Sequence, residues 1–249
     1  MKEKLSLKRD NLTLYGLLET PEIKEGEKIP LAIIMHGFNT NSRQHPFYDL
    51  TRALWDQGIA TLRFDFSCHG RSEGDMADMT VEGLRADAEA FYQYAVSLDF
   101  VNRIYLIGYS LGGIIASHLA VDHRERIEKL VLLSPAADIR MRAENGFFFG
   151  NLYDPADPPE LMETELFHIG RPYFLSAQKV EVYEHLKDYD RETLLVYGEK
   201  DEYVPREMTL DYKNYINNLK TVSAPNADHL WTEDSDIAVK TIADFLGEN

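Results

Sequence analysis

The sequence predicts an α/β protein in which helices cover both faces of a mostly parallel sheet. From residue 31 onward the β-like segments are continuously apolar rather than alternating, as in strands that are buried on both faces. Amphipathic helical patterns lie between these segments, and strand–helix alternation favours right-handed crossovers in a parallel sheet. A chain of 249 residues can form such a fold as one domain with a large core.

The individual elements follow from periodicity and from turn residues. Leu84, Ala88, Phe91 and Ala95 share one face of a helix, and Thr80 is its expected N-cap. The predicted strands span residues 12–19, 31–37, 59–66, 103–108, 129–134, 193–198 and 219–224, and the predicted helices span 46–57, 80–97, 111–122, 205–218 and 235–247.

The alternation breaks at residues 135–189, which contain the run DPADPP, no clear strand and nine aromatic residues. Because long excursions in compact domains are usually functional, this segment predicts an inserted cap or lid over the carboxyl ends of the strands. Residues 1–134 and 190–249 then form the core. The alternative is an excursion that only completes the hydrophobic core.

Composition restricts the partners. The formal charge of −16, from 42 acidic against 26 basic residues, argues against nucleic acids and anionic membranes. No apolar run approaches the roughly 18 residues that span a bilayer, and the single Cys68 suits a reducing compartment. We therefore expect a cytoplasmic protein, although a removed signal peptide would leave no trace, and the sequence does not separate a monomer from a homodimer.

Ser110 is the candidate nucleophile. It is the serine of a G-x-S-x-G motif, Gly108 to Gly112, placed between a predicted strand and a predicted helix. Small residues allow the sharp turn that exposes the hydroxyl, and the helix N-terminus favours developing negative charge. The competing interpretation is a glycine-rich bend with an idle serine.

A serine nucleophile needs a base and an orienting acid, expected in the chain order Ser, Asp or Glu, His. Asp201 follows the predicted strand 193–198, with Glu199 and Glu202 as rivals. His229 follows the strand 219–224, whereas the other histidines lie in helices, in the insertion or after earlier strands. A Cys68 nucleophile is disfavoured, because its neighbour His69 could not face it.

Two backbone N–H groups are needed to bind the oxyanion. Leu111 should supply one at the helix start, and Phe38, after the turn at Gly37, should supply the other. Asp65 and Arg71 are expected to fix loop geometry. No H-E-x-x-H, Walker or G-x-G-x-x-G sequence is present, so neither a metal nor an organic cofactor is expected.

Five segments together, HGF (36–38), DFSCHGRSEG (65–74), GYSLGG (108–113), GEKDEYVP (198–205) and ADH (227–229), resemble the α/β-hydrolases over essentially the whole chain. The resemblance implies an eight-stranded-type sheet and serine hydrolase chemistry. The segments LSPAA (133–137) and IGRPYFLSAQKVEVYEH (169–185) are similar to those of bacterial cinnamoyl (feruloyl) esterases, in which a cap covers the aromatic acyl group. By this resemblance Tyr173 contacts the hydroxyl of the ring, and we also expect His36 to contact the substrate.

The sequence thus predicts a serine carboxylesterase acting on small-molecule esters, with hydroxycinnamate esters as the first choice. Tyr109 and Leu111 flank the serine where we associate the cinnamoyl esterases with His and Gln. A short-chain aliphatic esterase or lipase, a thioesterase, a peptidase and a non-catalytic binding protein are the alternatives.

Overall fold

A computed structural model describes residues 1–248 of the protein. Its strands are β1 (Lys2–Arg9), β2 (Leu12–Glu19), β3 (Ile29–Met35), β4 (Ala60–Phe64), β5 (Val101–Tyr109), β6 (Ile127–Leu133), β7 (Phe147–Phe148), β8 (Asn151–Leu152), β9 (Leu161–Glu163), β10 (His168–Gly170), β11 (Glu192–Gly198) and β12 (Leu219–Ala224). Its helices are α1 (Phe47–Asp56), α2 (Val81–Val96), α3 (Leu111–Asp122), α4 (Ile139–Glu144), α5 (Arg171–Ala177), α6 (Arg206–Asp211) and α7 (Ser235–Gly247).

The main sheet has eight strands in the order β1-β2-β4-β3-β5-β6-β11-β12. Neighbouring strands among β4, β3, β5, β6, β11 and β12 pair in parallel, whereas β2 is antiparallel to both β1 and β4. The predicted fold class is confirmed. The sequence prediction omitted β1, because this edge strand is rich in lysine and buries only Leu5, so no continuous apolar run marks it.

The sheet is covered on both faces, as alternate residues of β3 illustrate. Leu31, Ile33 and Met35 belong to the hydrophobic core shared with α2 and α3. Ala32 and Ile34 face the opposite way, into the core shared with α1 and α7. Because side chains alternate across a strand, burial on both sides needs apolar residues at every position, which explains the unbroken runs in the sequence.

Two helix predictions had different outcomes. Thr80 caps α2 as expected, since its hydroxyl accepts a hydrogen bond from the Gly83 amide at 2.9 Å. The helix predicted over 205–218 is shorter: α6 ends at Asp211 and a 3-10 turn follows at Tyr212–Asn214. The tighter turn places Tyr212 fully inside the core, a tertiary contact that sequence periodicity does not encode.

The insertion, residues 135–189, contains α4, α5, two short hairpins and a 3-10 turn. The hairpins β7–β8 and β9–β10 lie where the sequence shows no clear strand. Their strands are only two or three residues long, too short to give a recognisable run. Ile169, Tyr173 and Phe174 join the same hydrophobic core as the sheet, so the insertion packs directly onto it.

Candidate active site

Ser110 lies at the junction of β5 and α3, with φ of 53° and ψ of −120°. A non-glycine residue in this region costs about 1–3 kcal/mol and persists only where its surroundings hold it. Glycines make the turn possible: a Cβ at Gly108 would lie 2.3 Å from the Gly112 carbonyl oxygen, and one at Gly112 would lie 2.4 Å from that of Met35. Close packing of α3 against β3 and β5 therefore fixes the strained serine.

The structure brings Ser110, His229 and Asp201 together in a hydrogen-bonded chain. The Oγ atom of Ser110 is 2.9 Å from Nε2 of His229, and Nδ1 of His229 is 2.7 Å from Oδ2 of Asp201. The His229 and Asp201 side chains are more than nine-tenths buried. With Nδ1–H donating to the carboxylate, Nε2 is free to accept the serine proton, which is the arrangement that base-assisted nucleophilic attack requires.

The loop after β11 holds Asp201 in place. Its second carboxylate oxygen, Oδ1, accepts hydrogen bonds from the Tyr203 and Val204 amides, each at 2.9 Å. The rival Glu199 instead accepts a hydrogen bond from the Ser223 hydroxyl at 2.8 Å, and Glu202 is exposed. Of the three acids in this loop, Asp201 is therefore the one that contacts His229.

The amides of Phe38 and Leu111 have no backbone or side-chain acceptor within residues 1–248. Leu111 is the first residue of α3, where an amide has no intrahelical partner. Phe38 follows Gly37, whose Cβ, if present, would lie 3.0 Å from Cβ of Ser110. Both residues line the same cavity as Ser110.

The structure places His36 away from that cavity. Its side chain is fully buried, its Nε2 accepts a hydrogen bond from the Phe66 amide at 3.0 Å, and Nδ1 lies 2.7 Å from the Gly37 carbonyl oxygen. Burial, and then the neighbouring His69, lower the pKa of His36 to about 3, so the ring is neutral. The sequence predicted that His36 contacts the substrate. In the structure its ring instead faces the Phe66 amide and the Gly37 carbonyl oxygen, and it holds the loop that carries Phe38.

Asp65, which the sequence suggested as a residue that fixes loop geometry, joins the loop after β3 to the loop after β4. Asp65 accepts hydrogen bonds from the Ser42 amide at 2.8 Å and from the Arg71 amide at 2.9 Å. Cys68 is half-buried, and burial raises the pKa of its thiol to about 11. A thiol with a raised pKa is a poor nucleophile at neutral pH, so the structure also disfavours Cys68 as the nucleophile.

The cavity beside Ser110 is small, with about 70 Å³ open to the centre of a water molecule, and seven of its 17 lining residues are Phe or Tyr. Tyr173 lines it and is 5% exposed. Asp138 and Arg142 also line it and form an ion pair with each other. Burial raises the pKa values of Tyr173 and Asp138. The aromatic residues of the wall are Phe38, Phe148, Phe149, Tyr153, Tyr173, Phe174 and Tyr203.

Comparison with known proteins identifies the family. Residues 27–154, just over half of the chain, match the family model described as serine aminopeptidase, S33. The chain belongs to this family of α/β-hydrolases. The hydrolase is 31% identical to the structure described as ferulic acid bound to Est1E from Butyrivibrio proteoclasticus, with 97% of each chain covered and a TM-score of 0.92. It is an esterase- or lipase-like hydrolase that resembles the cinnamoyl esterases.

Curated relatives of the hydrolase are more distant. It is 27% identical over 109 residues to a pimeloyl-[acyl-carrier protein] methyl ester esterase of Vibrio parahaemolyticus, where it spans 36% of the length of that relative and 42% of its own. It is 23% identical to the mouse mitochondrial palmitoyl-protein thioesterase ABHD10, with 88% of the hydrolase and 76% of the relative covered.

Three features of the hydrolase site were not recognised from sequence. The Tyr109 hydroxyl donates a hydrogen bond to the His229 carbonyl oxygen at 2.9 Å, the ring of Tyr203 lies 5.2 Å from that of His229, and Asp138 pairs with Arg142. The i,i+4 spacing of the last pair was a usable signal. The other two contacts join distant segments, and no local pattern indicates them.

Within residues 1–248 of the hydrolase, no cluster of three or more His, Cys, Asp or Glu side chains is arranged to hold a metal ion. None of the helices in this range is long and apolar enough to cross a lipid bilayer.

Proposed function

We propose that the protein is a serine carboxylesterase with Ser110 as nucleophile, His229 as base and Asp201 as the orienting acid. The continuous hydrogen-bonded chain from Ser110 Oγ through the His229 ring to Asp201 carries this proposal. His229 Nε2 accepts the proton as Ser110 Oγ attacks the ester carbonyl. The Phe38 and Leu111 amides then hold the oxyanion.

Collapse of the tetrahedral intermediate breaks the bond to the leaving alcohol, which takes the proton from His229 Nε2 and leaves an acyl-Ser110 ester. Water then attacks this ester with His229 again as the base, and the acid product leaves with Ser110 restored. Apart from the ester, every reacting group in these steps belongs to the protein or is water, so the proposed reaction includes neither a metal nor an organic cofactor.

The test is a comparison of Ser110→Ala with Ser97→Ala, a control at the exposed C-cap of α2. Ser110→Ala should lower kcat for p-nitrophenyl butyrate by more than roughly a thousandfold, and Ser97→Ala should leave it unchanged. A fluorophosphonate should label the native protein once, at Ser110. Full activity in Ser110→Ala would refute the assignment, and no activity in the native protein would favour a binding protein.

The insertion at residues 135–189 is proposed as a cap that encloses the acyl group, with hydroxycinnamate as the preferred acyl class. Phe38, Phe148 and Tyr173 pack against one another with ring centroids 5.2 to 6.0 Å apart and form one aromatic wall of the cavity, on which a flat aromatic acyl group can stack. Tyr173, which lines the cavity, offers its hydroxyl to a ring hydroxyl of the substrate. The Est1E structure that is 31% identical to this protein is described with bound ferulic acid, which supports the same acyl class.

Tyr173→Phe separates this proposal from a purely apolar pocket. Loss of one hydrogen bond should raise KM for methyl ferulate roughly five- to tenfold, which corresponds to about 1 kcal/mol. Methyl cinnamate, which lacks the ring hydroxyl, should be hydrolysed equally by both proteins. Equal effects on the two esters would remove the proposed role of Tyr173.

Short-chain aliphatic esters and thioesters are the second candidate, favoured by the names of the more distant relatives. The deciding measurement is kcat/KM for methyl ferulate, methyl butyrate and methyl laurate, which share one leaving group, together with a feruloyl thioester. A preference for butyrate of more than tenfold over ferulate would exclude the hydroxycinnamate proposal and leave the esterase proposal intact.

Peptidase activity is suggested by the description of the family model. An aminopeptidase needs an acid on the acyl side to bind the substrate ammonium group. The buried acid of the acyl cavity, Asp138, is instead paired with Arg142. We therefore expect aminoacyl amides to be poor substrates. A cytoplasmic location remains our proposal, based on the single Cys68.

A further inference from the structure

An open groove lies beside the active-site cavity, and Arg142, Phe149 and Tyr203 line both spaces. The other groove residues are Phe147, Gly150, Asn151, Thr164, Glu165, Leu166, Phe167 and Glu202. Phe149 and Tyr203, at the junction, are each 43% exposed.

The position of His229 decides which part of an ester can enter the groove. The leaving oxygen must lie within hydrogen-bond distance of His229 Nε2 in order to take its proton. Tyr203, at the mouth of the groove, lies 5.2 Å from the His229 ring. Tyr173 and Phe174, which line the cavity, are buried, whereas Phe149 and Tyr203 are partly exposed. An acyl group placed against the buried residues leaves the exposed side, where the groove lies, for the alcohol.

The groove has a distinctive charge. Glu165 and Glu202 are exposed, and neither forms an ion pair or a side-chain hydrogen bond with any residue in the described range 1–248. Arg142, the cation at the groove, is already engaged: it pairs with Asp138, donates to the Tyr203 carbonyl oxygen and lies 5.1 Å from the Phe147 ring centroid. The groove is therefore lined by two carboxylates without an ion-pair partner in the described range and by a guanidinium that is already paired with a carboxylate.

We propose that this groove is the leaving-alcohol subsite and that it takes an uncharged, hydroxyl-bearing alcohol in preference to one that carries a carboxylate or phosphate. Aromatic side chains pack against the C–H faces of such an alcohol, and the carboxylates accept hydrogen bonds from its hydroxyls. An anionic alcohol would be repelled in a protein whose formal charge is already −16. The inference rests on the proposed esterase function.

The test uses two esters of one shape and different charge: feruloylquinic acid, which carries a carboxylate, and its carboxamide. Glu165→Gln/Glu202→Gln removes both groove charges. Glu25→Gln/Glu125→Gln is the matched control, because these exposed residues precede the amino ends of β3 and β6, at the opposite edge of the sheet. Release of ferulate gives kcat/KM for each ester and each protein at low ionic strength.

A carboxylate about 6 Å from the ligand charge contributes roughly threefold in water, so two contribute about tenfold. The native protein and the control should therefore prefer the carboxamide roughly tenfold, and the groove variant should prefer it less than about threefold. High salt should reduce the preference in the native protein as the substitutions do. The proposal is overturned if the native protein shows no preference, or if the groove variant retains it.

Failure of the groove proposal is distinguishable from failure of the proposed function. If ferulate esters are not hydrolysed but butyrate esters are, the acyl assignment fails, and the same acid and carboxamide pair made with butyrate decides the groove proposal. If neither acyl series is hydrolysed and fluorophosphonate does not label Ser110, both proposals are overturned.

Discussion

Tyr109 links the turn at Ser110, the proposed nucleophile, to His229, the proposed base, and a substitution that removes only its hydroxyl tests the importance of this link. The residue precedes Ser110, is 3% exposed, and donates to the His229 carbonyl oxygen at 2.9 Å. Within residues 1–248 no other group donates to that carbonyl. Tyr109→Phe keeps the ring against Phe47 and His229, whose ring centroids lie 6.1 and 5.6 Å away, so no cavity is created.

The loss leaves a buried carbonyl group without a partner, which costs about 1–3 kcal/mol. A base displaced by about 1 Å lowers the rate up to roughly a hundredfold. We expect the free energy of unfolding, measured in urea, to fall by about 1–2 kcal/mol. We expect kcat for p-nitrophenyl butyrate to fall roughly tenfold, with KM changed less than about twofold. A change in kcat alone is expected because the lost contact positions the base rather than binding substrate.

Tyr105→Phe is the matched control for this prediction. Tyr105 lies on the same strand, is 2% exposed and contributes to the same core as Tyr109, but it has no contact with His229. Its substitution should leave kcat unchanged. The proposed positioning role is refuted if Tyr109→Phe retains native kcat and stability, or if the two variants lose kcat equally.

Two further predictions concern the oxyanion loop and the response to acid. Gly37→Ala would place a Cβ 3.0 Å from Cβ of Ser110, so kcat should fall at least roughly tenfold with KM little changed; an unaltered kcat would contradict the proposed oxyanion role of Phe38. Burial, and then His118, lower the pKa of His185 to about 3, below its ordinary value near 6.5. The unfolded chain therefore takes up this proton first as pH falls below about 6.5, and stability is lost down to about pH 3. His185→Phe should make the fall in unfolding free energy between pH 6.5 and 5 shallower by up to about 1 kcal/mol per pH unit, and an identical slope in urea unfolding would refute this.

Much of the candidate site could be read from local sequence, because its residues follow strands whose unbroken apolar character marks them. Because the carboxyl ends of parallel strands meet at one edge of a sheet, the sequence alone predicts that Ser110, Asp201 and His229 lie close together. The choice between Asp201 and Glu202 was different. One position along the loop decides which carboxylate the Tyr203 and Val204 amides hold, and that depends on the folded backbone.

His36 shows where sequence reasoning failed. A histidine beside a predicted oxyanion residue suggested contact with substrate, whereas the backbone directs its ring inward to the Phe66 amide. The direction of a side chain after a strand depends on backbone angles and on the packing of neighbouring loops. Neither is present in the spacing of the residues.

The sequence by itself determined the fold class and the chain order of the proposed nucleophile, acid and base, because hydrophobic periodicity and turn chemistry are local properties. Tertiary structure alone decided the shape and charge of the space around Ser110. Phe149, Glu165 and Glu202 lie far apart in the chain or in segments without a recognisable pattern, and they form one groove only when the insertion packs onto the sheet. Such long-range packing depends on the three-dimensional fit of side chains, so the proposed selection of the alcohol emerges from the fold rather than from a motif.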